Sequence, residues 1–125
     1  MREIINTFET EFKSISQKFV IIEEYLEDLA ASKVDFIYNP GVYIFLFDNE
    51  VIKVGRHLTN SRKRALEHIR DNTENEDFEM SKMVGNKKSK VILLNVKDVN
   101  DKHWVAAFEI FLEEKLNPKI RSKRH

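Results

Sequence analysis

Two runs of β-branched and aromatic residues, separated by a short polar segment, constrain the fold of this 125-residue chain more than any other feature. The first run covers residues 42–47 and the second covers residues 51–55. The three residues between them, Asp48-Asn49-Glu50, are polar. Two such runs joined by so short a link predict an antiparallel β-hairpin.

The register of this hairpin decides which side chains share a face. If Phe47 pairs with Val51, two further pairs follow along the strands: Phe45 with Lys53, and Tyr43 with Gly55. Because side chains alternate along a strand, these last four residues are predicted to lie on one face. A slip of one residue would separate them, so the prediction depends on the turn.

The remaining apolar pattern predicts an α/β (α+β) fold. Residues 91–96 read as a third strand, and residues 60–71 and 101–116 read as helices. Residues 72–90 are polar and are predicted to form a long loop with a helical turn near residues 80–84. We therefore expect a small three-stranded, mostly antiparallel sheet that is flanked by helices.

Residues 3–30 are predicted to form one long helix. Apolar residues recur there at steps of four and three, at Phe8, Phe12, Ile15, Phe19, Ile22, Leu26 and Leu29. We predict a helical extension over residues 1–38, followed by a second domain over residues 39–125. The apolar stripe could pack on the rest of the chain, or it could pair with a second copy in a homodimer.

Composition and charge exclude several classes of protein. The chain has no cysteine, which excludes disulfides and thiolate metal sites, and its four histidines lack zinc-site spacing. Its first residues contain no long apolar run, so we expect a cytoplasmic protein without a membrane span. The net charge is zero, but residues 52–70 carry six basic groups against Glu67 alone. This local charge favours an anionic ligand.

Four ordered motifs resemble those of a known nuclease family. Gly41-Val42-Tyr43 and Lys53-Val54-Gly55 are similar to the two motifs that name the GIY-YIG nuclease superfamily. Arg64, with His68 four residues later, resembles the family's motif helix. Glu109, in a later helix that is followed by Pro118, resembles its metal-binding glutamate. The resemblance covers about 80 residues, from Gly41 to Arg121.

The chain departs from the family pattern at two positions. Lys53 replaces the tyrosine of the second motif, as it does in some branches of the family. Arg121 replaces an asparagine that usually follows the proline by three residues. The first departure favours the lysine-containing branches over the excision-repair type, and the second concerns a structural contact that the resemblance implies near the active site.

The resemblance implies a metal-dependent endonuclease, a hydrolase that binds DNA and cuts its phosphodiester bonds with Mg²⁺ or Mn²⁺. It implies a general base at Tyr43, a phosphate-stabilising guanidinium at Arg64, an assisting imidazole at His68 and a metal ligand at Glu109. A Lys53 ammonium beside the phenol would favour the phenolate. Five further residues are predicted to contact the substrate: Arg56, His57, Arg62, Lys63 and Arg121.

Helical spacing independently favours Glu109 over its neighbours. At ~100° per residue, Phe108 and Leu112 lie in the buried stripe and Glu109 lies at its edge. Glu113 and Glu114 are predicted to point further into solvent. One carboxylate suits Mg²⁺, which keeps much of its hydration shell.

Two other functions remain open from the sequence. The chain could bind nucleic acid without cutting it, as the zero net charge and Arg121 suggest, or it could act as a dimerisation module through its first helix. An RNA substrate also stays open.

Overall fold

The computed structural model describes residues 2–73 and 78–121, which form a mixed α+β fold. In chain order its helices and strands are α1 (Arg2–Glu11), β1 (Phe19–Tyr25), α2 (Leu26–Leu29), β2 (Gly41–Phe47), β3 (Glu50–His57), α3 (Ser61–Arg70), β4 (Ser89–Val96) and α4 (His103–Leu116). Short 3-10 turns occur at Ser16–Lys18, Met80–Met83 and Val99–Asp101. The turn at Met80–Met83 confirms the predicted helical turn, whereas residues 74–77 of the predicted loop lie outside the described residues.

The sheet has four strands in the order β1-β4-β2-β3, and every neighbouring pair is antiparallel. The prediction of three strands therefore missed one, while the mixed α+β class is confirmed. β2 lies in the middle, between β3 and β4, and β3 lies at one edge. The two strands of the predicted hairpin are thus adjacent, and β3 is an edge strand of the sheet.

The prediction of one helix over residues 3–30 is wrong. The helix ends at Glu11, and Phe19–Tyr25 pairs with β4 along its whole length. Val20, Ile21 and Ile22 are consecutive β-branched residues, which favour an extended backbone. The apolar steps of three and four fitted a helix, but hydrogen bonding to the edge of β4 decides the outcome.

A β-bulge sets the register between β2 and β3. Asp48 and Asn49 both have positive φ, at 51° and 66°, which is typical of a two-residue type I′ turn. This tight turn pairs Phe47 with Glu50, so the predicted pair of Phe47 with Val51 is wrong. The bulge then adds one residue on β3, at Ile52. Beyond it, the other two pairs match the prediction: Phe45 with Lys53, and Tyr43 with Gly55.

The two faces of the sheet carry separate hydrophobic clusters. One is packed by α1 and α4, where the Phe108 ring centroid lies 4.8 Å from that of Phe8 and 4.1 Å from that of Phe12. The other contains Tyr43 and Phe45 and is packed by α2, α3 and the Met80–Met83 turn. The first two residues of the apolar stripe that suggested a homodimer, Phe8 and Phe12, thus pack within the chain.

The chain after α4 returns to the outer edge of β3. The amide of Ile120 donates to the carbonyl of Ile52 at 2.8 Å, and the amide of Lys119 donates to the carbonyl of Val51 at 3.2 Å. This short segment covers one end of an edge that would otherwise offer unpaired backbone groups. Across residues 2–73 and 78–121, no helix has the length and apolar character needed to cross a membrane.

Candidate active site

Tyr43 lies directly over Gly55, its partner on the neighbouring strand. A β-carbon added at Gly55 would lie 2.2 Å from the Tyr43 hydroxyl oxygen and 2.3 Å from its Cζ atom. Any larger residue at this position would displace the ring, so the glycine of the second motif has a steric role. Tyr43 is 3% exposed, and its position is set by the bulged register of the hairpin.

His68 links Tyr43 to the chain that follows α3. Its Nε2 lies 2.7 Å from the Tyr43 hydroxyl oxygen, and its Nδ1 lies 2.7 Å from the Thr73 hydroxyl oxygen. Burial, together with the positive charges of Arg64 and Lys53, lowers the pKa of His68 to about 3. The imidazole is therefore neutral at pH 7, with one nitrogen protonated and one able to accept a proton.

The pKa of Tyr43 moves in the direction opposite to the sequence-based hypothesis. Burial raises it to about 12, although the charge of Arg64 opposes this rise and that of Glu109 adds to it. Lys53 is itself buried and depresses the pKa of His68. The predicted role of Lys53, favouring the phenolate, is not supported, because the effect of its charge falls on the imidazole instead.

Arg64 lies on the flank of α3 next to Tyr43. Its charge acts on both Tyr43 and His68, as their pKa shifts indicate. The side chain is 38% exposed and forms an ion pair of 3.4 Å with Glu67, one turn along the helix. A half-exposed guanidinium beside a buried phenol is suited to contact an anionic group that approaches from solvent.

Glu109 on α4 contacts β3. It is 2% exposed, and its Oε1 lies 3.1 Å from Nη1 of Arg56 on β3. Its negative charge contributes to the raised pKa of Tyr43.

The donor atoms around Glu109 fit only a sparsely ligated cation. Among residues 2–73 and 78–121, no group of three or more His, Cys, Asp or Glu side chains could surround a metal ion. A metal held by Glu109 would therefore take most of its ligands from water and substrate. Mg²⁺ tolerates this arrangement because it retains several waters, whereas Zn²⁺ in proteins normally has three or four protein ligands.

Glu113 is buried, whereas it was predicted to point into solvent. It is 1% exposed, whereas Glu114 is exposed as predicted. Glu113 lies four residues after Glu109 and so shares its helix face. Its Oε1 lies 3.5 Å from Nε of Arg121, whose Nη1 also donates to the Asn117 side chain at 3.0 Å. The residues after α4 cover this carboxylate, and helical spacing within α4 cannot reveal such a contact.

The five predicted substrate contacts are not equivalent. Arg56 and Arg121 are each paired with a buried glutamate. His57 is used within its own loop, because its Nδ1 accepts from the amide of Asn60 at 3.1 Å. Arg62 and Lys63 lie in the first turn of α3, and Lys63 is exposed there.

Asn95 on β4 is a structural residue that the sequence did not single out. Its side-chain oxygen accepts a hydrogen bond from the Ser61 hydroxyl, and its Nδ2 donates to the carbonyl of Phe36 at 2.9 Å. A β-carbon at Gly41 would lie 2.0 Å from the Asn95 side-chain oxygen. The first-motif glycine therefore admits Asn95, which joins the sheet to the start of α3. The only signal in the sequence was one polar residue within an apolar strand.

Thr73 was also missed, because its contact with His68 depends on the turn after α3.

Comparison of the chain with family models, curated proteins and solved structures finds no match.

Proposed function

We propose that this chain is a metal-dependent endonuclease of the GIY-YIG type that hydrolyses DNA phosphodiester bonds. One observation carries the proposal. A phenol on β2, an imidazole and a guanidinium on α3 and a buried carboxylate on α4 interact electrostatically: Tyr43, His68, Arg64 and Glu109. Hydrolysis of a phosphodiester needs an activated water and positive charge at the phosphate, and these groups can supply both.

The proposed base is Tyr43 acting together with His68. With its pKa raised to about 12, Tyr43 is protonated at neutral pH and cannot accept a proton while it keeps its own. The neutral imidazole resolves this, because Nε2 is 2.7 Å away and can receive the phenol proton. As Tyr43 takes a proton from the attacking water, its own proton moves to His68. In this proposal Nδ1 of His68 carries the imidazole proton and donates it to the Thr73 hydroxyl oxygen, which leaves Nε2 free to accept from Tyr43.

Substrate binding is expected to make His68 a better base. The charge of Arg64 is one of the causes that lower the pKa of His68. When Arg64 contacts a phosphate, that negative charge offsets the guanidinium and weakens the repulsion felt by an imidazolium. Proton transfer is then coupled to the presence of the phosphodiester.

Glu109 is the proposed ligand of Mg²⁺ or Mn²⁺. The bound cation would supply positive charge to the phosphate and to the leaving oxygen. Nη1 of Arg56 forms an ion pair with Oε1 of Glu109 at 3.1 Å, so metal binding requires this ion pair to open. The released guanidinium lies next to Gly55 in the chain and is placed to contact the substrate backbone.

A nicking assay on supercoiled plasmid, with Mg²⁺ or Mn²⁺, tests the proposal. Glu109→Gln keeps a hydrogen-bonding side chain beside Arg56 but removes the charge. We expect cleavage to fall roughly 10²-fold or more, because the metal supplies several kcal/mol of charge stabilisation. Glu114→Gln, an exposed glutamate on the same helix, is the matched control and should cut normally. Equal cleavage by both variants would sink the metal-ligand assignment.

The same assay tests whether the Tyr43 hydroxyl acts as the base. Tyr43→Phe keeps the ring over Gly55 and loses the hydroxyl, so we expect cleavage to fall roughly 10²- to 10⁴-fold, the usual contribution of general base catalysis. Undiminished cutting by a folded Tyr43→Phe variant would rule out the base role.

A DNA-binding module that does not cut is the second candidate. The Arg56–Glu109 ion pair favours it, since the carboxylate already has a cationic partner. Such a protein would bind duplex DNA with an affinity that falls as salt rises, and would form no product with either metal.

A further inference from the structure

Three hydrophobic side chains are exposed in the segment before β2. Val34, Phe36 and Tyr38 are 46%, 41% and 53% exposed. They alternate with other residues, and Ile37 between them is buried at 1%. We call this set of three exposed residues the aromatic loop. Exposed apolar side chains that lie this close in the chain are candidates for a binding surface.

The backbone of the aromatic loop is held in a costly conformation. Phe36 has a φ of 68°, in the left-handed region that bulky residues rarely adopt. Such a conformation persists only where the surroundings impose it. Here the side chain of Asn95 donates to the carbonyls of Phe36 and Ile37, at 2.9 Å and 3.4 Å. The loop is also tied to α3, because the amide of Ser61 donates to the carbonyl of Asn39 at 3.2 Å. The exposed rings are therefore preorganised relative to α3.

Arg62 adds a positive charge to the aromatic loop. Its guanidinium carbon lies 5.0 Å from the centroid of the Tyr38 ring, within cation–π distance. Among residues 2–73 and 78–121, no carboxylate forms an ion pair with Arg62. The exposed Tyr38 ring can stack on a flat apolar group, and the Arg62 guanidinium beside it can bind a negative charge on the same ligand.

Three consecutive basic residues connect the aromatic loop to the candidate active site. At ~100° per residue, Arg62, Lys63 and Arg64 spread over about 200° of the first turn of α3. Arg62 contacts Tyr38 on one flank, and Arg64 acts on Tyr43 on the other. Lys63 lies between them and is exposed. The basic side chains thus form a continuous arc across the surface, from the exposed tyrosine to the buried one.

We propose that the aromatic loop stacks an unpaired base of the strand whose phosphates lie on this basic arc. The substrate class would then be DNA that carries a single-stranded segment beside the cut, such as an overhang or flap. The flat face of a nucleobase can stack on the exposed rings of Tyr38 and Phe36. The phosphates of the same strand can pair with the positive charges of Arg62 and Lys63. This inference rests on the proposed nuclease function, because it places the unpaired base next to the proposed cutting site.

The test measures stacking without metal. A duplex with a short overhang containing 2-aminopurine is titrated with protein in EDTA, and a blunt duplex of the same sequence is titrated beside it. The parent protein should quench 2-aminopurine fluorescence and bind the overhang substrate roughly tenfold more tightly, within the range that base–aromatic stacking supplies. Tyr38→Ala should lose both the quenching and the preference, whereas Tyr38→Trp should keep them.

Tyr25 provides a matched control. It is also an exposed tyrosine, at 47%, and the Lys90 ammonium lies 5.3 Å from its ring centroid. It lies on β1, at the sheet edge opposite β3. Tyr25→Ala should bind and quench as the parent does. Equal behaviour of Tyr38→Ala and Tyr25→Ala, or no preference for the overhang by the parent, would overturn the proposal and favour a protein partner for the aromatic loop.

Cleavage of the same substrates with Mg²⁺ separates the two proposals. Stacking without cleavage would contradict the nuclease and leave a single-strand binding surface. Cleavage of blunt and overhang duplexes at equal rates, with no quenching, would contradict the stacking surface and leave the nuclease.

Discussion

At the scale of single residues, the site is built from polar groups in a hydrophobic cluster. Tyr43, Lys53 and His68 are all less than 8% exposed. Burial raises the pKa of Tyr43 and lowers that of His68, so both groups stay neutral at pH 7. A hydrogen bond joins the two, so neither buried group lacks a partner. The cost of burying polar groups is thereby limited, and a donor and an acceptor of a proton are kept in contact.

The low pKa of His68 predicts a stability that depends on pH. The folded-state pKa, about 3, lies below the ordinary value of 6.5, so the unfolded chain binds the proton first as pH falls. Stability from this residue is complete above about pH 6.5 and is lost as pH falls from there towards 3. The slope is at most about 1.4 kcal/mol per pH unit.

Urea denaturation of the parent and His68→Gln, from pH 7.5 to pH 4, measures this effect. The parent should lose stability faster than the variant below about pH 6.5, since only the parent can take up this proton. Parallel curves for the two proteins would show that His68 titrates normally in the folded state.

At the scale of elements, the hairpin of β2 and β3 depends on its bulge. The type I′ turn alone would pair Phe45 with Ile52 and Tyr43 with Val54. The extra residue shifts the pairing by one, so that Lys53 and Gly55 oppose Phe45 and Tyr43. The open space at Gly55 then accommodates the phenol. The turn and the bulge together place Tyr43 opposite Gly55, and only a glycine there leaves room for the Tyr43 ring.

Gly55→Ala should therefore damage both the fold and the site. The new methyl group would lie 2.2 Å from the Tyr43 hydroxyl oxygen and force the ring away from His68. We expect a loss of roughly 1–3 kcal/mol in the free energy of unfolding, as for other overpacked sites. The Tyr43–His68 hydrogen bond should be lost, which the NMR signals of the His68 ring would report.

Gly85→Ala is the control for this substitution. Gly85 has a φ of +73° and open space around its Cα atom. Alanine there should cost about 1–2 kcal/mol through backbone strain alone, and should leave the His68 signals unchanged. If both variants shift these signals alike, the effect of Gly55→Ala is not local to Tyr43.

At the scale of the whole molecule, the residues after α4 complete the fold. Ile120 pairs with the outer edge of β3, and Arg121 covers the buried Glu113. This contact gives Arg121 a structural role at the position where the sequence predicted substrate binding. The two roles predict different behaviour on substitution.

Arg121→Ala should lower stability and leave DNA affinity nearly unchanged. Removing a charged partner from buried Glu113 should cost roughly 1–3 kcal/mol. Adding Glu113→Gln should recover part of that loss, because the remaining group is neutral. Thermal unfolding and DNA binding, measured on both variants beside Arg56→Ala, distinguish the roles. A loss of affinity without a loss of stability would restore Arg121 as a substrate contact.

Much of the local structure could be read from the sequence. Helix α3 begins as predicted, because the side chain of Asn60 accepts from the amide of Lys63 and caps it. The hairpin and α4 were also predicted to within a few residues. Each depends on interactions between residues close in the chain, which periodicity and turn chemistry report directly.

The sequence by itself determined the hairpin, its flanking helices and the order of the candidate site residues. Only the tertiary structure decided that Phe19–Tyr25 is a strand, that Glu113 is buried, and that Lys53 acts on His68. These outcomes share one physical cause. Strand pairing, burial and the direction of a pKa shift are set by neighbours distant in the chain, such as β4 for β1 and Arg121 for Glu113. A local pattern cannot specify such neighbours until the chain has folded.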